Sequence, residues 1–289
     1  MYALRNCRDR RAAAVIFLGV LLSFPLFNAD AYHRGDERIT DDTAFTLRDG
    51  ELRLGIWKVE YGLFESVDLH TYTIPFLVGA GNAGIKWQYI WDEKSSISLR
   101  AHSLKLDLAN FESDEDSEDS EDSEAAFWIL PFELTYSRDL EDDMTLSLGW
   151  LYNRVIVSGA SSGGDAVNGA AAITTGQLTA TLQLNHSETF ASIIHARALS
   201  YQDLSAQGSI VRTETIPPDI TLEIAGSADT SSDAAEVDGG FSIIASGQHS
   251  WSSFNLRYGI GYGNWSLPVI NMVMPEKSGI VEFDMFWRF

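Results

Sequence analysis

One cysteine, Cys7, is present in 289 residues. A single thiol excludes a disulfide framework and a cysteine-rich zinc centre. Positive charge is also scarce, with 20 Lys and Arg against 41 Asp and Glu, a formal net charge of −21. So little cation could not neutralise phosphates in bulk, which argues against a nucleic-acid partner. Beyond the first thirty residues no convincing amphipathic helix occurs, because apolar residues do not recur at a helical period. What the chain does have is 45% hydrophobic and 11% aromatic residues, with 23 Gly and 7 Pro. That content is too apolar for a disordered chain and the wrong balance for a collagen-like one.

The first thirty residues read as an export leader. Arg5, Arg8, Arg10 and Arg11 form a basic start, and 12–27 is an uncharged apolar run. Ala29-Asp30-Ala31 then supplies the small residues of a cleavage site. As a helix the apolar run would rise about 24 Å, short of the roughly 30 Å hydrocarbon core, and Pro25 shortens it further. The expectation is a signal peptide over 1–31, cleaved before Tyr32. Cys7 lies ahead of the apolar run, where a lipid-attachment cysteine would follow it, so the mature chain would carry no cysteine.

The rest of the chain alternates with period two in segments of about ten residues. Ala83, Ile85, Trp87, Tyr89 and Trp91 form one apolar face; Leu146, Leu148, Trp150 and Tyr152 a second; Leu178, Ala180, Leu182 and Leu184 a third. Phe254, Leu256, Tyr258, Ile260 and Tyr262 make a fourth, and Val281, Phe283, Met285, Trp287 and Phe289 a fifth. Less regular strands are expected near 51–63, 67–76, 96–108, 126–138, 189–201, 209–225 and 239–250. The phase shift at Ile56/Trp57 suggests a bulge or break. Twelve strands result if 209–225 is one strand; fourteen result if it is split at Pro217-Pro218 and 43–48 is added.

A soluble sandwich also alternates. Three features favour a membrane barrel instead. Aromatic residues lie toward strand ends at Trp87, Trp91, Trp150, Tyr152, Tyr258, Tyr262, Trp287 and Phe289, as an interface girdle requires. The opposite face mixes Gly, Ser, Thr and Gln with charge, which suits a wet or narrow lumen. Short connections, such as 92–94 and 139–143, contrast with long polar ones at 109–125, 158–174, 226–238 and 265–278. A spanning sheet in lipid must also close, since no water is available to bond its edges.

The terminal strand, ending on Phe289 with apolar residues at alternate positions, resembles the signature by which outer-membrane barrels present their last strand to the assembly machinery. Thr43-Ala44-Phe45-Thr46-Leu47, then Gly50-Glu51-Leu52-Arg53-Leu54-Gly55, then Glu60 to Leu69, resemble the opening of a group of largely uncharacterised bacterial outer-membrane β-barrel proteins. In that group the run forms the first hairpin. Glu65 departs from the Thr-Asp more common at its turn, and the middle of the chain matches only in pattern. The resemblance implies architecture and carries no catalytic residue.

The oddest segment is 112–124, with nine carboxylates in thirteen residues. It lacks the Gly of a tight calcium loop, so a hydrated external loop with weak divalent-cation screening is the expectation. Six His are present. His70 shares a face with Asp68, His102 with Arg100, and His195 with Arg197. Asn185-His186-Ser187 has the residue types of a hydrolase but as immediate neighbours, which point apart along a strand. No His-x-x-x-His pair occurs, and no enzyme, metal or cofactor is expected. Arg53, Asp68, Lys86, Arg100, Arg197, Glu223, Arg257, Glu282, Asp284 and Arg288 are expected to line the lumen, since a charge facing lipid costs about 2–4 kcal/mol for Arg or Lys.

The sequence thus predicts a signal peptide over 1–31, a periplasmic lead-in over 32–50 and a barrel over 51–289. The barrel is an all-β, closed, antiparallel, up-and-down transmembrane one of about twelve strands, within a range of ten to fourteen. The role expected is porin-like passage of small solutes across the outer membrane, with lipid and the barrel-assembly machinery as partners. A non-conducting structural or surface-binding barrel with a plugged lumen is the rival, and a barrel enzyme a distant third.

Overall fold

The computed structural model describes residues 38–107, 123–161, 165–216, 220–232, 240–266 and 273–289. The leader at 1–31 and most of the acidic run lie outside these residues.

Among the described residues, thirteen strands and one short helix, α1 (Thr73–Leu77), follow in order. They are β1 (Leu52–Gly55), β2 (Lys58–Phe64), β3 (Val67–Tyr72), β4 (Gly81–Asp92), β5 (Ser95–Asp107), β6 (Ser123–Glu141) and β7 (Met144–Ser161). After these come β8 (Asp165–Ser187), β9 (Phe190–Ile216), β10 (Ile220–Ser232), β11 (Phe241–Trp251), β12 (Phe254–Ser266) and β13 (Val273–Arg288). Every pairing is antiparallel, and β13 returns to β1 through Arg53↔Arg288 and Leu54↔Trp287. The ring is therefore a closed twelve-strand barrel. β10 stands outside the count: it pairs only with 204–216 of β9, while β11 takes 190–198 of the same strand.

The alternating pattern accounts for the two faces. On β4, Ala83, Ile85, Trp87, Tyr89 and Trp91 are exposed while Lys86 and Gln88 are buried; on β12, Tyr258, Ile260 and Tyr262 are exposed while Asn255 and Arg257 are buried. Period two sends successive side chains to opposite sides. The outer side is thus a continuous apolar surface, with Ile260 and Val281, partners across β12–β13, the most exposed at 74% and 76%. No second layer covers it among the described residues, as a sandwich would require.

Three local expectations are corrected. The strand expected over 51–63 is two, β1 and β2, paired as a hairpin with Leu54 opposite Val59, so of the bulge or break expected at Ile56/Trp57 the structure has the break. The strand expected over 67–76 ends at Tyr72 and turns into α1, with Thr73 tied by its N–H to the Trp57 carbonyl at 3.0 Å and by its hydroxyl to that of Gly55 at 3.1 Å. The separate strands expected at 189–201 and at the start of 209–225 are one strand, β9, and the chain resumes as β10 beyond Pro217-Pro218. β1, β2 and β3 have 4, 7 and 6 residues. Full spanning takes about 9–11, so this part of the wall is low. The Trp57 indole closes its tip onto β13 by donating to the Phe283 carbonyl at 2.5 Å.

Candidate functional site: the filled lumen

Residues 38–50 precede the first strand, where a lead-in outside the barrel was the expectation. They lie inside it instead. Their bonds reach β1, β2, β3, β4, β6, β12 and β13. A segment joined to side chains all round a closed ring has to occupy the interior. Ile39, Thr40, Thr43, Ala44, Phe45 and Leu47 are all buried there. The stretch 43–48 is accordingly not a strand.

The centre of this plug is a turn at Asp41-Asp42. Asp42 has φ 56, a left-handed conformation that Asp tolerates better than most residues, and the Thr43 hydroxyl closes the turn onto the Ile39 carbonyl at 2.7 Å. The turn sends the two carboxylates to different walls. Asp41 meets Arg53 of β1 at 2.5 Å and Lys58 of β2 at 2.8 Å. Asp42 meets Arg257 of β12 at 3.2 Å and Arg197 of β9 at 3.9 Å. Burial alone would raise both carboxyls. Arg53, Lys58 and Arg257 nevertheless hold Asp41 well below the usual carboxylate range. His195, Arg257 and Arg197 do the same for Asp42, against the opposing charge of Asp41.

The rest of the segment is held by its backbone. The Lys86 ammonium, fully buried, donates to the carbonyls of Thr40 (2.9 Å) and Phe45. The Leu47 N–H donates to the Asp68 carboxylate at 3.0 Å, that of Thr46 to the Gln88 side-chain oxygen at 3.0 Å, and that of Ala44 to the Ser137 hydroxyl at 2.7 Å. These bonds satisfy backbone groups that no strand pairs. Ile39 packs on Ala191 and Ile193 of β9, and Arg38 lies over the Phe45 ring at 4.1 Å.

The wall adds its own pairs. Arg53 bonds Asp284 at 2.9 Å and stacks on Phe286 at 3.8 Å; Lys58 meets Glu60 at 2.9 Å. Arg257 meets Glu282 at 2.7 Å, Arg288 meets Glu51 at 2.5 Å, and Arg100 meets Glu133 at 3.0 Å. Buried charge is tolerated only when matched in this way. Above this layer the inner face of β5–β7 turns apolar, with Leu104, Ile129 and Val155 packed against Ala80, which follows α1.

Of the lumen candidates named from the sequence, Arg53, Asp68, Lys86, Arg257, Asp284 and Arg288 are buried on the inner face, and Arg100, Arg197 and Glu282 are half-buried beside them. The Glu223 side chain lies outside the described residues. Among the girdle candidates, Trp87, Trp91, Trp150, Tyr258, Tyr262 and Phe289 are exposed and Tyr152 and Trp287 half-buried. Asp41, Asp42, Lys58 and Glu60 were missed. Lys58 and Glu60 alternate with Tyr61 and Val59 and so carried a readable signal; the acidic pair carried none, since nothing local says that 38–50 enters a barrel. The low end of the outer face also carries an aromatic belt not read from the sequence, Phe190, His249, Trp251 and Phe254, with neighbouring rings 4.6–5.8 Å apart.

A filled interior inside an apolar-faced, closed ring defines a plugged β-barrel. Solved structures with a similar course include the TodX deltaS2S3 mutant monoaromatic hydrocarbon channel, at 12% identity and a TM-score of 0.26, covering 82% of this chain and 77% of that one. CdiB from Escherichia coli is similar at 8% identity and 0.28, covering 83% and 62%, and CdiB from Acinetobacter baumannii at 9% and 0.28, covering 84% and 60%. The chain thus spans less than two thirds of either CdiB protein. No protein-family model and no curated protein sequence matches it.

Proposed function

We propose that this protein is an outer-membrane channel for small solutes, shut at rest by its own N-terminal segment. The observation that carries the reading is the nature of the stopper. The lumen is closed by residues 38–47, which lie outside the wall's hydrogen-bond ladder, and among their attachments are the ion pairs of Asp41 and Asp42. A segment held by side chains leaves the barrel closed as a ring when it departs, because no strand pairing depends on it. The leader at 1–31 would export the chain, and the strand ending at Phe289 would present it for assembly into lipid. No catalysis forms part of this reading.

The rival, a non-conducting structural barrel, draws support from the density of matched charge around Arg53, Lys58 and Arg257. Planar-bilayer recording separates the two. The purified mature protein is expected to be mostly silent and an Asp41→Asn, Asp42→Asn variant to show stable open steps. A double variant that folds yet stays silent supports the structural barrel, and a fully open native protein removes the plug from the account.

A further inference from the structure

Two histidines inside the barrel are unexplained by the plug. His70 on β3 stands opposite Gly84 on β4, and Gly84 stands opposite His102 on β5. The three inner positions form one row across three strands. Because the middle position has no side chain, both imidazoles lean over it, and a methyl group built on Gly84 would overlap Nε2 of His70 and Nδ1 of His102. The rings lie 5.1 Å apart and nearly parallel, with Tyr72 edge-on to His102 at 4.5 Å. His70 and His102 are 5% and 6% exposed, and neither ring's nitrogens have a hydrogen-bond partner among the described residues. Four ring nitrogens left without partners in a buried position are costly, and a native structure owes them a ligand.

The surroundings narrow that ligand. Directly above, the inner face becomes apolar with Leu104 and Ile129, and directly below lies the row of Asp68 and Lys86 that holds the plug. The nearby cations are already matched: Arg100 by Glu133 at 3.0 Å, and Lys58 by Glu60 and Asp41 at 2.9 and 2.8 Å. The pair therefore stands in a compact, sheltered space without a large net field. We propose that His70 and His102 bind one first-row transition-metal ion, of the class that takes neutral imidazole: copper(II), zinc(II) or nickel(II).

Bonds of about 2.0–2.1 Å place two such nitrogens roughly 3–4 Å apart, which a swing of one ring about its side-chain torsions achieves. Among the described residues no group of three or more His, Cys, Asp or Glu gathers, so water completes the shell. The ion would pin β3 to β5 immediately above the plug. The assignment does not depend on whether the barrel conducts.

The test uses the mature protein folded in lipid nanodiscs and freed of metal. Copper(II) is followed by electron paramagnetic resonance and zinc(II) by calorimetry. About one ion per chain is expected, with hyperfine structure from two imidazole nitrogens. His70→Gln and His102→Gln should each weaken binding at least tenfold, while His186→Gln and His249→Gln, on the outer face, should leave it unchanged. Gly84→Ala is expected to weaken it too, by crowding the two nitrogens. The gel shift of an unheated, folded barrel confirms that each variant is assembled. Unaltered binding in folded His70→Gln and His102→Gln places the ion elsewhere and overturns the proposal, as does absence of binding by the native protein.

Discussion

Arg53, on the first strand, places one guanidinium nitrogen 2.9 Å from Asp284 on the last strand and another 2.5 Å from Asp41 of the plug. A single side chain thus joins the seam of the ring to the segment that fills it. Its exposure is 2%, so water cannot replace either partner.

Truncating it is therefore expected to leave the Asp284 carboxylate unmatched and Asp41 with Lys58 as its remaining cation on this wall. Arg53→Ala should lower stability by about 3–5 kcal/mol, the range for breaking one side of a buried pair. The measurement is unfolding in urea from lipid vesicles, followed by tryptophan fluorescence. Arg53→Lys should recover part of the loss, because one ammonium cannot serve both carboxylates in the forked geometry of a guanidinium. A loss below about 1 kcal/mol in Arg53→Ala would show that the seam does not depend on it.

Acidity should loosen the plug. Asp41 and Asp42 are held below their ordinary range despite burial, so the docked segment favours their ionised forms. For groups depressed on docking, the stabilisation is complete above the free value of about 3.9 and is lost as pH falls from there toward the docked value. Channel openings should therefore become more frequent below about pH 4. In the Asp41→Asn, Asp42→Asn variant the acid response should shrink. An equal acid response in that variant would assign it to other carboxylates.

The outer face can be tested at its most exposed point. Val281, 76% exposed and paired across the ladder with Ile260, faces outward on β13. In water an Arg there would cost little. Facing lipid, Val281→Arg should cost about 2–4 kcal/mol if the site lies near the bilayer midplane, and less toward either interface. Refolding yield into vesicles, with urea titration of the product, reads this directly. A variant as stable as the native protein would mean that this face meets water.

Much of the architecture was legible in the chain. The alternation of Ala83 to Trp91 and of Phe254 to Tyr262 is local, and side-chain direction in a strand follows from the backbone alone. Charge marked the inner face for a related reason: Lys86 and Arg257 interrupt greasy stretches at the parity that cannot face lipid. The reversal at Ile56-Trp57 was legible only as an irregularity. A bulge and a tight hairpin disturb phase alike, and the pairing of Leu54 with Val59 tells them apart.

What one sequence determines here is therefore which side of each ribbon is apolar, since that is set by neighbours two positions away. Tertiary structure alone decided what the polar sides enclose. Asp42 and Arg257 are 215 positions apart, and His70 and His102 meet only because a glycine on the strand between them leaves the space. No local pattern encodes such distances; closing the ring brings these groups together, and the expense of unmatched polar atoms in its interior then selects the segment that fills it.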